Sequence, residues 1–257
     1  MGWGDEIMAS GEARVVHERD GRKVLIAGVH GPRAHEAWQG VSFIAQPGES
    51  GVHSSINNGP NMRPYVQSKS DTHWTWKRYR PIPGTLALSA RDLAFAKDLP
   101  RPYVLIEPNI KPRKESANKT WPFERWQQLV DTVNLPWLQC YGGHGERLRG
   151  VRVIETPDFR AAAAALLFAS LYVGPEGGLH HAAAAFQLPA VVLFGGFISP
   201  EVTGYASHTN IYTGQGLGCG ARSACDCCIA AMHRITVEQV AQATIQQWQQ
   251  VNEGKAA

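Results

Sequence analysis

The chain has 257 residues, of which 44% are hydrophobic, and its formal net charge is +3. This length suffices for one large domain or two modest ones, and the mild charge excludes a protein that binds polyanions with its whole surface. No apolar run approaches the ~20 residues of a membrane-spanning helix, and no signal sequence is recognisable, so we expect a cytoplasmic protein without membrane insertion.

Residues 1–98 predict a small N-terminal lobe on the acceptor side of a cleft. Residues 5–19 place apolar side chains near one helical face, residues 23–27 read as a strand, and residues 89–98 are compatible with a second helix. The stretch from 28 to 84 is rich in Gly, Pro, Ser, Asn and His, and it predicts no regular element.

Residues 99–257 predict a second lobe in which strands and helices alternate, which is typical of a doubly wound α/β domain with a parallel sheet. We expect the last helix to pack back toward the N-terminal lobe, with Val237, Val240, Ala241, Ile245 and Trp248 on its buried face. The predicted strands are 103–106, 137–140, 151–154, 171–173 and 191–194, and the predicted helices are 122–131, 159–168 and 236–251.

The segment 170–196 predicts half of a nucleotide-binding site: a strand, a glycine turn, a short Ala-rich helix and a second strand. Parallel strands end at one edge of a sheet, where ligands bind. Gly177 and Gly178 leave the first N–H groups of the helix uncovered, which favours an anion such as the diphosphate of a sugar nucleotide. Glu176 precedes them, and a carboxylate there suits neutral hydroxyl groups of a ribose or a transferred sugar.

Two neighbouring pairs complete the predicted donor site. His180 and His181 lie in the first turn of the helix, where we expect one ring to pack and the other to face the cleft. Thr203 and Gly204 follow the last strand, and we expect them to contact the donor. A glycine-opened helix is also common in α/β proteins without this function.

Lys119 is the basic residue that we expect to hold the diphosphate. It follows the strand that ends at residue 106, and Trp121 and Pro122 should fix the backbone beside it. A fixed cation stabilises the charge that gathers on a leaving diphosphate. The alternative is a solvated basic loop. Three other cations lie in this loop: Lys111, Arg113 and Lys114.

Asp5 is the candidate general base. Gly2 and Gly4 would let the backbone pass close to a ligand near the acceptor, and a carboxylate at such a turn is able to deprotonate an acceptor hydroxyl. Helix capping is the commoner role of an Asp at this position. The turn is not a dinucleotide fingerprint, because Ile7 occupies the third small position and no strand precedes it.

Between residues 63 and 80, cations alternate with aromatic side chains, which is a composition found in nucleic-acid contacts. Surface loops often have the same composition, and tryptophans also fill thin cores. The candidate acceptor or nucleic-acid contacts are Trp74, Trp76, Lys77, Arg78 and Arg80.

Four of the five cysteines, Cys219, Cys225, Cys227 and Cys228, fall within ten residues, whereas Cys140 is alone. In a reducing compartment such a cluster indicates a metal before a disulfide. Its spacing lacks the paired C-x2-C knuckles of common zinc sites. A structural zinc or iron site and free thiols in a glycine-rich loop both remain open.

Three separated motifs resemble the family 9 glycosyltransferases, the group of the bacterial lipopolysaccharide heptosyltransferases, and most closely the short phage-borne members. Gly4-Asp5 resembles the family's N-terminal Gly-Asp motif, whose Asp is the proposed base. The segment 119–122, Lys-Thr-Trp-Pro, resembles its Lys-x-Trp-Pro motif, and the segment 176–184, Glu-Gly-Gly-Leu-His-His-Ala-Ala-Ala, resembles its Asp-Thr-Gly-x-x-His-x-Ala-Ala signature.

This resemblance implies a GT-B-like fold of two Rossmann-like lobes with parallel sheets, here with a reduced N-terminal lobe. It implies a donor in the C-terminal lobe, an acceptor in the N-terminal lobe, and an inverting displacement that needs no metal cofactor. Some members carry a cysteine-bound metal in the late loop. The sequence departs from the family at Glu176, at Gly177, and in the missing strand before Gly4.

The sequence therefore predicts transfer of a sugar from a nucleotide-diphosphate donor to a hydroxyl group. The preferred acceptor is a hydroxymethylated base in DNA, flipped out of the duplex, in the host cytoplasm if the protein is phage-encoded. Lipopolysaccharide core is the second acceptor. Two other functions stay open: binding of a nucleotide or nucleic acid without catalysis, and epimerisation of a sugar nucleotide.

Overall fold

The computed structural model describes residues 2–256, which form an α/β protein with two halves that face a common cleft. In the N-terminal half, a short sheet packs against one long helix, and a hairpin makes hydrogen bonds to Phe197 and Gly220 of the C-terminal half. A 3-10 helix lies at Glu36–Trp38. The elements are α1 (Trp3–Asp20), β1 (Val24–Gly28), β2 (Gly31–Pro32), β3 (Ser54–Asn57), β4 (Val66–Lys69), β5 (Trp74–Trp76) and α2 (Ala90–Ala96).

Helix α1 begins two residues before the predicted start, because Asp5 caps it. The Asp5 carboxylate accepts the Gly2 N–H at 3.2 Å, and the helix ends at Gly21, whose φ of 66° is in the left-handed region. Gly11 lets a neighbouring segment cross closely, since a Cβ there would lie 2.6 Å from the Ile82 carbonyl oxygen. The helix thereby buries Ile7 completely.

The N-terminal sheet is mixed, which corrects the expectation of a parallel sheet in each lobe. Strand β1 pairs in parallel with β3 and antiparallel with β2. The sequence pattern did not reveal β2 and β3, because these strands are short and half exposed. They therefore lack the continuous apolar run of a buried parallel strand. The β4–β5 hairpin lies in the stretch where no element was predicted.

The C-terminal half follows the predicted alternation, with a 3-10 helix at Ser116–Lys119. Its strands are β6 (Val104–Ile106), β7 (Trp137–Tyr141), β8 (Arg152–Glu155), β9 (Leu171–Pro175), β10 (Ala190–Phe194) and β11 (Thr209–Tyr212). Its helices are α3 (Phe123–Thr132), α4 (Phe159–Leu167), α5 (Gly178–Ala185), α6 (Pro200–Thr203), α7 (Asp226–Arg234) and α8 (Val237–Ala256).

All six of these strands are parallel, in the order β11-β10-β9-β6-β7-β8. The register aligns Val173 with both Ile106 and Val191, so the carboxyl ends of β6, β9 and β10 lie at the same edge of the sheet, where β9 and β10 extend beyond the end of β6. One face of the sheet packs on α3 and α8, and the other contributes to a core that continues into the N-terminal half through α1. The carboxyl edge therefore opens toward α1.

Helix α8 packs differently from the prediction. It contacts α3 and strands β9, β10 and β11, and Val240 and Trp248 belong to a core formed by the C-terminal half. The apolar side of α8 covers the part of the sheet face that α3 leaves uncovered, and these contacts all lie in the C-terminal half. Ile245 is 42% exposed, contrary to its expected burial. None of the helices in the described part of the chain is long and apolar enough to span a membrane.

Candidate active site

A cavity of about 710 Å³ lies between the carboxyl edge of the large sheet and the start of α1. The N-terminal half contributes Trp3 and Asp5 to its wall, and the C-terminal half contributes Lys119, Glu176 and His181. Ligands of open α/β sheets bind at this edge. The geometry thus brings the predicted base and the predicted donor residues to one cavity.

Glu176 is the centre of a buried charged chain. Its carboxylate lies 2.5 Å from the Lys119 ammonium and 3.5 Å from Nε2 of His181, whose Nδ1 is 2.9 Å from the Tyr205 hydroxyl. Burial by itself would raise the pKa of Glu176, but Lys119 and His181 hold that pKa well below its usual value. Glu176 is therefore an ionised acceptor of hydrogen bonds inside the cavity.

The start of α5 lies beside this ion pair and has no side-chain cap. Gly178 is required there for packing, because a Cβ would lie 2.7 Å from the Phe159 ring and 3.4 Å from Cβ of Trp3. At Gly177 the nearest atom to such a Cβ is 4.0 Å away, so space does not demand glycine. The uncapped N–H groups of an eight-residue helix face the cavity that Lys119 also lines.

The two histidines occupy different environments. His181 lines the cavity. His180 is fully buried against Phe194 and Tyr205, and neither of its ring nitrogens has a hydrogen-bond partner within residues 2–256. Burial, together with the neighbouring His181, lowers the pKa of His180 well below the usual value. His180 is thus a neutral packing residue.

Thr203 and Gly204 also differ in position. Thr203 lines the cavity, is 2% exposed, and has a hydroxyl group without a partner in the described chain. Gly204 turns the chain after α6, where a Cβ would lie 2.7 Å from Pro200. Thr203 is thus one of the described residues that line the cavity, whereas Gly204 is not.

Asp5 also lines the cavity and is held by three groups. Its carboxylate lies 3.1 Å from the buried Arg63 guanidinium and accepts hydrogen bonds from the Tyr65 hydroxyl and from the Gly2 N–H. Capping and a place in the cavity therefore coexist in this residue. Burial and the Asp5 charge together raise the pKa of Tyr65, so the phenol remains a donor to the carboxylate.

The glycines of the first turn serve packing between the halves. A Cβ on Gly4 would collide with the His181 ring, so the first turn of α1 rests directly on α5. Trp3 adds a stacked contact with Phe159, with ring centroids 4.3 Å apart. The close approach predicted at Gly4 is thus made to His181, although Gly2 and Gly4 both line the cavity.

The basic aromatic segment divides into two groups. Trp74 and Trp76 line the cavity, but Trp76 is 7% exposed and its indole N–H donates to the Phe197 carbonyl at 3.0 Å. Trp76 is therefore packed into the protein interior, and its ring is not free to stack on a base. Arg78 pairs with Glu201 at 2.7 Å on the exposed surface. The cavity wall, as far as the chain is described, does not include Lys77, Arg78 or Arg80.

The four clustered cysteines come together in space. Their sulfur atoms all lie within 4.8 Å of one another, compared with the ~3.8 Å between sulfurs that Zn–S bonds of ~2.3 Å give in a tetrahedral site. Hydrogen bonds with the Cys227 thiol and the Cys228 backbone lower the pKa of Cys225 to about 7. The donor set fits a tetrathiolate metal site.

Asn118 connects the cysteine cluster to Lys119. Its side chain is fully buried, accepts the Cys225 N–H at 2.8 Å, and donates to the carbonyl oxygens of Ala221 and Ser223. Because Asn118 and Lys119 share one 3-10 helix, the conformation of the cysteine loop supports the position of the lysine.

Glu107 is a site residue that the sequence reading missed. It follows β6, lines the cavity, and accepts the Tyr172 hydroxyl at 2.6 Å. Burial raises its pKa to about 7, although the hydrogen bond from Tyr172 counteracts the shift. A Cβ on Gly174 would collide with the Tyr172 hydroxyl, so glycine makes this contact possible. Its place after a buried strand was the only available signal.

Comparisons with known proteins support the architecture. Neither a protein-family model nor a curated protein matches the sequence. Among solved structures, a glycosyl transferase family 9 protein from Veillonella parvula matches 96% of this chain and 94% of its own length, with 12% identity and a TM-score of 0.63. The chain therefore has a GT-B-like glycosyltransferase fold over nearly its whole length.

A second similar structure is TibC of enterotoxigenic E. coli, described as an iron-containing dodecameric glycosyltransferase. The match covers 68% of this chain with 19% identity and a TM-score of 0.50. It spans 52% of TibC, about half of that protein. At these identities the two similarities establish the fold.

Proposed function

We propose that this protein is a glycosyltransferase that moves a sugar from a nucleoside diphosphate donor to a hydroxyl group of an acceptor. The observation that carries the proposal is the ion pair of the partly buried Lys119 with the buried Glu176, beside the uncapped start of α5. It offers positive charge for a diphosphate and a carboxylate for sugar hydroxyls in one cavity. The GT-B-like fold supports the same reading.

In the proposed step, the acceptor oxygen forms a bond to the anomeric carbon while the bond from that carbon to the diphosphate oxygen breaks. The electron pair of the broken bond leaves with the nucleoside diphosphate, and the acceptor proton passes to Asp5. We propose that the acceptor attacks from the side away from the leaving group, so that the anomeric configuration is inverted; Asp5 and the donor-binding residues line the same cavity, which supports this arrangement.

The leaving group is stabilised by the protein's own positive groups. Lys119 and the α5 N–H groups hold the diphosphate, and Lys111 and Arg113 line the same cavity. Fixed charges of this kind lower the barrier without reorganisation. Glu176 binds donor hydroxyls, while His181 and Thr203 complete the wall. We propose a displacement in which these groups take the role that a catalytic metal has in other transferases.

Asp5 is suited to receive the proton because its partners orient it. Arg63, Tyr65 and the Gly2 N–H hold the carboxylate; Arg63 and Gly2 share Oδ2, and Oδ1, which accepts from Tyr65, keeps a further lone pair. A general base must lie within hydrogen-bond distance of the proton that it takes, and other groups can hydrogen-bond to it at the same time. We therefore place the acceptor hydroxyl next to Asp5.

We also propose a structural zinc or iron ion at Cys219, Cys225, Cys227 and Cys228. The thiol geometry fits a tetrahedral ion, and TibC, which shares the fold, is described as iron-containing. The ion would fix the loop that Asn118 joins to Lys119, so it supports donor binding through the fold and takes no part in the transfer step.

The proposal is tested with a panel of nucleotide sugars and three acceptor arms: hydroxymethylated duplex DNA, lipopolysaccharide core and water alone. Mass spectrometry weighs the acceptors and chromatography follows the donors. We expect one arm to gain the mass of one glycosyl group while nucleoside diphosphate is released. A changed donor sugar in the water arm indicates epimerisation, and donor binding with no product in any arm indicates a binding protein. Either result contradicts the transferase.

A further inference from the structure

The β4–β5 hairpin of the N-terminal half pairs with a stretch of the C-terminal half. The Trp74 N–H donates to the Gly220 carbonyl oxygen at 2.8 Å, and the Arg222 N–H donates to the Thr72 carbonyl oxygen at 2.8 Å. These two hydrogen bonds flank an antiparallel bridge. Residues 220–222 therefore extend the hairpin by a third short strand, which joins the two halves of the molecule through their backbones.

Two residues of this stretch are fitted to the hairpin. Gly220 has a φ of 69°, and a Cβ there would collide with the Trp74 carbonyl oxygen, so the position requires glycine. The Arg222 guanidinium donates to the carbonyl oxygens of Ser70 at 2.6 Å and Asp71 at 3.2 Å. It also lies 5.6 Å from the centroid of the Trp74 ring. Arg222 thus holds the turn of the hairpin and one of its aromatic side chains.

The hairpin carries part of the cavity wall and supports Asp5. Trp74 and Trp76 line the cavity. At the base of the hairpin, the Lys77 N–H donates to the Tyr65 carbonyl oxygen at 2.9 Å, and the rings of Tyr65 and Trp76 lie 6.4 Å apart. The Tyr65 hydroxyl in turn donates to the Asp5 carboxylate. The position of the hairpin therefore affects the orientation of Asp5.

The opposite side of the same stretch holds the helix of Lys119. Backbone groups of successive residues in an extended strand point to opposite sides. Positions 220 and 222 bond to the hairpin, whereas the Ala221 carbonyl oxygen accepts the Asn118 side-chain amide at 3.0 Å. Asn118 and Lys119 belong to one 3-10 helix. A single short stretch thus contacts the supports of both Asp5 and Lys119.

Two of the clustered cysteines flank this stretch. Cys219 directly precedes it, Cys225 follows it after two residues, and the four sulfur atoms of the cluster lie within 4.8 Å of one another. Four thiolates bound to one ion would fix both ends of residues 220–222. Fixing the ends reduces the conformational entropy that is lost when the stretch pairs with its neighbours. Loading of the thiolates should therefore strengthen both sets of contacts.

We propose that the cysteine loop, residues 219–228, positions Asp5 and Lys119 together, and that Arg222 is the positioning residue on the Asp5 side. The inference rests on the proposed transferase function and adds a control of its two walls by one loop. Arg222 acts through the hairpin and Tyr65, whereas Asn118 acts on Lys119. The loop itself takes no part in the making or breaking of bonds.

Arg222→Met tests the hairpin side, because it removes the guanidinium and keeps much of the side-chain length. We expect the amide hydrogens of residues 72–76 to exchange at least about tenfold faster, while those of β9 and β10 keep their rates. We expect kcat to fall about tenfold, with the donor KM within about twofold, because Lys119 keeps its own support.

Two further variants control this measurement. Arg222→Lys retains a cation that is able to donate to the Ser70 carbonyl oxygen, so it should restore part of the protection and part of kcat. Arg152→Met removes an exposed arginine of strand β8 and should match the native protein in exchange and in kinetics.

Metal loading tests both sides of the loop at once. The protein is freed of metal with a chelator and then titrated with Zn²⁺ or with Mg²⁺, which prefers oxygen ligands to thiolates. We expect Zn²⁺ to slow exchange in residues 72–76 and in residues 116–119 by at least about tenfold. Mg²⁺ should change neither segment.

Hydrogen exchange reports the pairing without any transfer, so the two hypotheses are separable. Unchanged exchange of residues 72–76 in Arg222→Met, or equal exchange in metal-free and Zn²⁺-treated protein, overturns the inference. A normal kcat in Arg222→Met despite faster exchange overturns the positioning role of Arg222. If exchange responds as expected but the native protein neither binds nor transfers a nucleotide sugar, the proposed function fails and the pairing of loop and hairpin is retained.

Discussion

The two walls of the large cavity are built in different ways. The wall that we propose for the donor, with Lys119 and Glu176, is fixed by the ends of parallel strands and by an ion pair of the buried Glu176 with the partly buried Lys119. The wall that we propose for the acceptor, with Asp5, is fixed by side chains from distant parts of the chain: Tyr65 is 60 residues away in sequence. We expect substitutions on the proposed donor wall to change donor binding and substitutions on the proposed acceptor wall to change turnover.

Asp5→Asn gives the largest expected effect and tests the acceptor wall. The amide keeps the shape and the place of the carboxylate but cannot take the acceptor proton, so we expect kcat to fall by about 10²–10⁴. Donor KM should stay within about twofold, because Asp5 does not contact the donor groups. Steady-state kinetics measure both values.

Glu18→Gln is the matched control for this change, since Glu18 is an exposed carboxylate on the same helix. Its kinetics should equal those of the native protein. A fall in donor affinity for Asp5→Asn, with kcat retained, would move Asp5 from the acceptor wall to the donor wall.

Lys119→Ala tests the donor wall. It removes a diphosphate ligand and leaves Glu176 buried without its main partner, so we expect kcat/KM to fall by about 10²–10³. Thermal unfolding should shift down as well, as it should for Asp5→Asn, which leaves the buried Arg63 guanidinium without its anionic partner. Lys114→Ala, an exposed lysine of the same loop, should change neither property. Normal donor KM in Lys119→Ala would remove this residue from the site.

Glu107→Gln tests whether the donor wall titrates near neutral pH. Burial raises the pKa of Glu107 from 4.5 to about 7, so the folded protein binds more protons than the unfolded chain between these values. The free energy of unfolding therefore falls as the pH rises through this window. The amide removes the fall, so the variant should be more stable than the native protein at pH 8, by on the order of 3 kcal/mol.

Urea unfolding at pH 4 and pH 8 measures this difference, which should be small at pH 4. Glu124→Gln, at an exposed position on α3, reports the effect of an amide substitution by itself. If the difference in free energy of unfolding between Glu107→Gln and the native protein is the same at both pH values, the pKa of Glu107 is not raised by burial.

Gly4→Ala gives the smallest expected effect and tests the contact between the walls. The added methyl group meets the His181 ring, so one of the two elements must shift, at a cost of about 1–3 kcal/mol. Thermal unfolding measures the loss. Gly21→Ala places the same methyl group where nothing lies within 4 Å, and it reports the cost of a positive φ alone. A neutral Gly4→Ala would show that α1 does not rest on α5.

The sequence predicted the large sheet because its central strands are continuous apolar runs. Residues 171–173 and 191–194 are almost fully buried, and such runs are recognisable without knowledge of tertiary contacts. Strand β11, Thr209–Tyr212, escaped detection because all four residues are half-buried and alternate in no clear pattern. The short strands of the N-terminal half escaped for the same reason.

The place of Glu176, Gly177 and Gly178 at the cavity was also predictable from local signals, since these residues directly follow a buried strand. The partners of Asp5 were not, because Arg63 and Tyr65 lie in a stretch without periodicity and reach Asp5 only in the folded chain. For Gly4, the sequence indicated a close approach but could not show that His181 makes it. Local patterns thus define the donor wall, and long-range packing defines the acceptor wall.

Calorimetry of donor binding is the most direct test of the central claim, that Lys119, Glu176 and the start of α5 hold a nucleoside diphosphate sugar. The panel of nucleotide sugars is titrated into the native protein, Asp5→Asn, Lys119→Ala and Lys114→Ala. We expect saturable heat with at least one donor for the native protein, Asp5→Asn and Lys114→Ala, and loss of that heat for Lys119→Ala. No heat with any donor, or equal affinity in Lys119→Ala, would contradict it.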